Sequence, residues 1–226
     1  MKKILLLAVS IFAIGSAFAG GDQTGAFTGI QKKKDITQGG FYLHLGLASP
    51  SFRAVDDPTD TRFRMGIQPS LEIGNNFMFY KTDKFGIGMN VSWLTFGFSS
   101  KTKTYDYGLF EQEIKTSSVY LSLLKLGPMG TLAINDNMAL DIFFDFAPTF
   151  YIGTQTSPDV FAGDADEAFL MSGIAMAPGV KFRFKKLCAG FEAQFGKLNY
   201  GTTDEDDKTD FKANYFSPRL MLGFKF

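Results

Sequence analysis

The stretch Asn214-Tyr215-Phe216-Ser217-Pro218-Arg219-Leu220-Met221-Leu222-Gly223-Phe224-Lys225-Phe226 alternates without interruption. Phe216, Pro218, Leu220, Leu222, Phe224 and Phe226 fall on one face, and Tyr215, Ser217, Arg219, Met221, Gly223 and Lys225 on the other. A period of two is that of a β-strand, because successive side chains point to opposite sides of a sheet. A strand with one aromatic, aliphatic face and one polar face suits a barrel whose outside meets lipid.

Working outward, alternating segments recur at about 40–48, 63–80, 84–100, 116–134, 138–153, 169–184 and 187–200, with 214–226 closing the set. The predicted fold class is all-β, an eight-stranded antiparallel up-and-down transmembrane β-barrel. Three connections are short: Lys81-Thr82-Asp83, Asn135-Asp136-Asn137 and Lys185-Lys186. The others are polar and are read as about a dozen residues or more, as in Asp56-Asp57-Pro58-Thr59-Asp60. Tight turns at one rim and long loops at the other are the asymmetry of outer-membrane barrels, and an even strand number puts both termini on the periplasmic side.

Parity tests the pairing, since residues opposed across a hairpin share a face. Met65, Ile67, Pro69, Leu71 and Ile73 are odd, as are Phe85, Ile87, Met89, Val91 and Trp93, so the turn between them needs an odd number of residues. Leu124, Leu126, Leu132 and Ile134 against Leu140, Ile142, Phe144 and Phe146 make the same demand. Ile174 to Phe184 are even and Leu187 to Phe195 odd, which calls for the two-residue Lys185-Lys186 turn. The frame slips by one at Leu94, Phe96 and Phe98 and again at Val119, Leu121 and Leu123, which points to bulges or to the rim of the membrane band.

The opposite face carries His44, Arg64, Gln68, Glu72, Asn90, Lys125, Asp141, Asp145, Lys181, Arg183, Glu192, Arg219 and Lys225, interleaved with glycine and alanine. Eight strands enclose room for little more than one layer of side chains. The large Phe, Leu and Ile sets would overfill that space, whereas small residues and paired polar groups suit it. The aromatic rows therefore face lipid. Phe41, Phe79, Phe85, Phe184, Phe224 and Phe226 mark one interfacial girdle, and Phe98, Phe150, Tyr200 and Phe216 the other. The predicted lumen charge network, structural or gating, is Arg64, Glu72, Lys125, Asp141, Asp145, Lys181, Arg183, Glu192, Arg219 and Lys225. Hairpin register sets Lys125 diagonal to Asp145 and Lys181 diagonal to Glu192.

The amino end has the order of an export leader. Lys2 and Lys3 precede an apolar run from Ile4 to Ile14, too short to span a bilayer, and Ala17-Phe18-Ala19 supplies the small residues of a cleavage site. The expected organisation is a signal peptide at 1–19, a flexible periplasmic segment at 20–39 containing Lys32-Lys33-Lys34, and the barrel domain at 40–226. The chain holds 23 basic and 23 acidic residues, and the leader removes Lys2 and Lys3, so nothing points to nucleic acid. The lone Cys188 excludes an intramolecular disulfide. With 26 Phe, 8 Tyr and 24 Gly at a mean hydropathy of only +0.01, the composition favours strands and tight turns over helices.

The leader, the eight alternating segments, the short turns and the closing segment together resemble the small bacterial outer-membrane barrels of the OmpX and OmpA-barrel type. The resemblance is architectural and covers nearly all of the mature chain. It implies localisation in the outer membrane of a Gram-negative-type bacterium, and an assembly signal read by the barrel-assembly machinery at Tyr215, Leu222, Phe224 and Phe226. Partners expected are outer-membrane lipid, that machinery and an extracellular ligand reached through four loops, with Tyr105, Tyr107, Phe110 and Phe161 as loop contacts. A monomer is expected.

Three functions stay open: a structural or surface-interaction protein, a small ion-conducting pore, and a lipid-modifying enzyme. The last would rest on His44, whose neighbours His44-Leu45-Gly46 lack the His-x-Ser of the lipid A deacylases, so no catalytic residue is assigned. Asp204, Glu205, Asp206, Asp207 and Asp210, with Asp159, Asp164, Asp166 and Glu167, lack the glycine and distal glutamate of a calcium loop and read as solvated loop acids. No cofactor and no metal site is expected.

Overall fold

The computed structural model describes residues 36–55, 62–106, 111–159, 163–202 and 211–226. The strands are β1 (Gly40–Ala48), β2 (Ser51–Ala54), β3 (Arg62–Arg64), β4 (Gln68–Lys81), β5 (Phe85–Asp106), β6 (Glu111–Asn135), β7 (Met138–Asp159), β8 (Gly163–Phe184), β9 (Leu187–Thr202) and β10 (Phe211–Lys225). Each of β4 to β9 pairs antiparallel with its successor, β1 pairs with β4, and β1 closes the ring on β10 from Tyr42↔Lys225 to Ala48↔Arg219. Eight strands thus form an antiparallel ring. A closed ring leaves no unpaired ladder edge, which is what lets strands cross a bilayer.

The first two wall segments are interrupted. Pro50 has no N–H for the ladder, and the chain steps there from β1 to β2, whose partner is still β10, through Ser51↔Phe216 to Ala54↔Ala213. β3 returns along β2, and the Met65 N–H donates to the Pro50 carbonyl at 3.0 Å. This step turns Met65 inward, where it is 5% exposed, contrary to its place in the predicted lipid-facing row.

The strands overshoot their expected ends. β5 and β6 pair as far as Asp106↔Glu111, and β7 and β8 as far as Asp159↔Gly163. The third and fifth connections, read as long loops, are therefore mostly paired hairpin. The reason is physical: beyond the lipid both faces of a hairpin meet water, so the hydropathy alternation stops while the ladder continues. A spanning strand needs only about 9–11 residues, and β6 has 25.

Bulges account for the slips of frame. The β4–β5 register shifts between Ile73 and Gly74, leaving Trp93 unpaired with β4, and the β6–β7 register shifts between Ser122 and Leu126, around Leu124 with its positive φ of 53°. Inward positions change there from Gly86, Gly88, Asn90 and Ser92 to Thr95, Gly97 and Ser99 on β5. Two of the predicted three-residue turns are corrected. The β6–β7 hairpin turns on Asp136-Asn137 and adds a bulge at Ile134, and the β4–β5 hairpin regains its parity through a bulge at Phe79. An unpaired residue in the strand changes parity just as an extra turn residue does. Lys185-Lys186 turns as predicted, with Lys185 at φ 55°.

Outside, the even face of β10 and the matching rows of the other strands expose large apolar side chains, among them Ile67, Phe79, Ile174 and Leu222. An apolar surface that encircles the molecule has lipid as its solvent. The chain is a membrane-spanning β-barrel. Tyr200, read as a girdle residue, instead packs inside against Phe169, with ring centroids 5.9 Å apart.

Candidate functional site

Inward positions build a lumen in three layers. The middle layer takes Glu72 from β4, Lys125 from β6, Glu192 from β9 and Arg219 from β10. Lys125 Nζ donates to Glu72 Oε2 at 2.9 Å and to Glu192 Oε2 at 2.6 Å. Arg219 Nη1 donates to Glu72 Oε2 at 2.5 Å and lies 3.5 Å from Glu192 Oε1. Two cations balance two carboxylates, as burial demands. Lys125 and Glu192 are 0% exposed, so no void large enough for water touches them. Close approach requires glycine at Gly46, where a Cβ would sit 2.5 Å from Arg219 Nε. His44 stacks on Tyr42 at 4.4 Å and places Nδ1 3.6 Å from Glu72 Oε1.

Toward the loop end lies an aromatic plug of Phe52, Met65, Tyr120, Tyr151, Phe169 and Tyr215. Its hydroxyls are tied to the charges below. Tyr120 and Tyr215 both donate to Gln194 Oε1, at 3.1 and 2.8 Å, and Gln194 Nε2 donates to Glu192 Oε1 at 2.6 Å. Tyr151 donates to Gln68 Oε1 at 3.2 Å and meets the Tyr215 hydroxyl at 3.1 Å. Phe52 lies edge-on to Tyr151 and stacks on Tyr215.

Toward the turn end, Asn90 bridges opposite charges: its amide donates to Asp145 Oδ2 at 2.5 Å, and its carbonyl accepts from Lys181 Nζ at 3.2 Å. The same ammonium sits over the rings of Tyr42 and Phe143. Arg183 holds Asp141 through Nε at 2.6 Å and Nη2 at 2.9 Å, while Thr131 donates to the same carboxylate at 2.6 Å. Arg183 Nη1 reaches the carbonyl of Ile36 at 2.8 Å, and Thr37, fully buried, donates to the Thr82 carbonyl at 3.3 Å. The last residues before β1 thus enter the barrel mouth. Lys225 is buried there, and its ammonium has no hydrogen-bond partner among the described residues. The mouth opens into a cavity of about 1080 Å³.

Of the residues read as lumen charges, Glu72, Lys125, Asp141, Asp145, Lys181, Arg183, Glu192, Arg219 and Lys225 are buried inside. Arg64 is not: it stands exposed on β3, beyond the break that turns Met65 inward. The expected diagonal pairs Lys125–Asp145 and Lys181–Glu192 do not form. Long side chains in a lumen about one layer wide reach across it more easily than along its wall. The plug was not foreseen, although Tyr120 and Tyr151 have the parity of inward residues. Leu222, Phe224 and Phe226 point outward, and Tyr215 points inward. Cys188 is buried and free. Tyr107, Phe110, Phe161, Asp204, Glu205, Asp206, Asp207 and Asp210 lie outside the described residues, as do the side chains of Tyr105, Asp159, Asp164 and Asp166 and the whole of 1–35. Among the described residues, no group of three or more His, Cys, Asp or Glu could hold a metal ion.

No family model matches the sequence, and no curated protein matches it. Solved structures of similar shape include Ail, the attachment invasion locus protein of Yersinia pestis, at 13% identity over 84% of this chain and 99% of that one, with a TM-score of 0.43. OmpT, the outer-membrane protease of Escherichia coli, aligns at 7% identity over 83% and 96%, with a TM-score of 0.47. Neisserial surface protein A aligns at 9% over 84% and 99%, with a TM-score of 0.40. Likenesses of this size say nothing of activity.

Proposed function

We propose that this protein is an integral outer-membrane barrel with a sealed lumen, monomeric and non-enzymatic, whose structural or surface-interaction role is carried by its external loops. The observation that carries this reading is the filled cross-section. Cross-lumen ion pairs and the aromatic plug occupy the interior, and the apolar wall is given over to lipid, so the loop end is left as the surface for a ligand. The leader and the tight turns at one rim support export and an orientation with the turns toward the periplasm. His44 lies inside at mid-depth, 2% exposed and against Glu72, and so does not face lipid as a lipid-modifying residue would.

In this reading the assembly machinery reads the outward row of Leu222, Phe224 and Phe226. Tyr215, inside the finished barrel, would be accessible to it only before closure.

Labelling tests orientation and insertion together. A cysteine placed by Asp206→Cys, in a Cys188→Ala background, reacts with an impermeant maleimide on intact cells, and the unboiled protein migrates differently from the boiled one. Labelling only after cell lysis, or recovery in the soluble fraction with a single gel mobility, would overturn the proposal.

A further inference from the structure

We propose a binding site for an anionic phospholipid at the β8–β9 turn; it rests on the lipid-facing, outer-membrane reading above. Two features meet there. On the outer wall, an apolar groove of about 540 Å³ runs between Phe184, Leu187, Leu222 and Phe224, with Ala189 and Gly223 on its floor. The gap follows from register: Ala189, an outward residue, pairs with Phe182 on one side and Leu222 on the other, so a methyl stands where its neighbours carry large apolar side chains. The groove has the shape and chemistry of an acyl-chain site.

At its turn end the groove adjoins the mouth cavity, which shares Phe184 and Leu187 with it. Between the two stand Lys185 and Lys186, exposed at the rim, and the cavity is lined also by Arg183 and Lys225. Arg183 is committed to Asp141 and to the Ile36 carbonyl. Lys225 is 6% exposed, and among the described residues its ammonium has no hydrogen-bond partner. The nearby Asp141 carboxylate is already held by Arg183, and a buried ammonium with its hydrogen bonds unmet favours an incoming anion.

The occupant must therefore be apolar at one end and anionic at the other, and only a two-residue turn separates the two ends of the site. A phospholipid with a net negative headgroup meets both demands. A zwitterionic lipid would add its own cation to a site already rich in them. At headgroup depth each lysine near an anionic surface contributes about fivefold to affinity, so Lys185 and Lys186 together contribute about thirtyfold.

The full-length barrel is reconstituted in nanodiscs of equimolar phosphatidylglycerol and phosphatidylcholine, released, and weighed by native mass spectrometry. Wild type retains phosphatidylglycerol in preference. Lys185→Gln with Lys186→Gln weakens retention about thirtyfold, the strength of two interfacial lysines, and Ala189→Leu, which projects into the groove from the lipid side, abolishes it with both lysines present. Heat-modifiable gel mobility, followed on every variant, reports the folded barrel independently. Equal retention of the two lipids means annular lipid only and overturns the site. Binding of free glycerol phosphate as strong as that of the lipid, and indifferent to Ala189→Leu, overturns the lipid in favour of a free anion. If wild type itself lacks heat-modifiable mobility, the barrel reading fails, and this proposal with it.

Discussion

The middle and the turn end of the lumen carry the same residue types under opposite conditions. At mid-depth, Glu72, Lys125, Glu192 and Arg219 form a closed set in which each charge touches at least two of opposite sign. At the turn end, Lys225 has no hydrogen-bond partner among the described residues. The first arrangement ties β4, β6, β9 and β10 together across the interior, which is the basis of the proposed seal. The second leaves a positive potential facing the mouth cavity. One layer is spent on structure, and the other retains charge that a ligand can meet.

The sharpest way to break this comparison is to remove one member of the balanced set. Lys125→Met leaves Arg219 alone between Glu72 and Glu192, one cation against two carboxylates, and is expected to destabilise the barrel by about 3–5 kcal/mol, the cost of orphaning a buried charge. Urea unfolding from lipid vesicles, followed by gel mobility, measures it. A loss under about 1 kcal/mol, the size of a surface ion pair, would mean that the cluster is hydrated rather than buried.

The smaller effect has the opposite sign. Lys225→Met in zwitterionic lipid removes a buried ammonium that has no hydrogen-bond partner among the described residues, and stability to unfolding should rise by about 1–2 kcal/mol. A fall of similar size would show that Lys225 is paired in the membrane, and the contrast between the layers would disappear.

How much of this was legible in sequence follows the physics of each feature. The eight wall segments and the inward set from Gln68 to Lys225 were readable because burial in lipid on one side and a narrow lumen on the other impose a strict period of two. Lys101 to Asp106 and Glu111 to Lys115 were not read as strand, because no alternation of apolar and polar residues marks them. Turns and bulges could not be told apart at Phe79 and Ile134, since each changes parity by one. Arg64 was misplaced because the chain breaks stride between it and Gln68. The partners of Lys125 depend on how the sheet is sheared around the ring, which hairpin register alone does not specify. Tyr120 and Tyr151 have the inward parity of the plug, but as aromatics they carry neither the charge nor the small size that marks the rest of the inward face. Their hydroxyls were the overlooked signal, since a buried Tyr O–H needs a partner that hydrocarbon cannot supply.

The sealed lumen is tested most directly by conductance of the purified barrel in a planar bilayer. The filled cross-section predicts no steady current above that of the bare bilayer. Sustained, ion-selective openings in wild type that are altered by Lys125→Met or Glu192→Gln would contradict it, because they would place a water-filled path through the four charges assigned here to closing it.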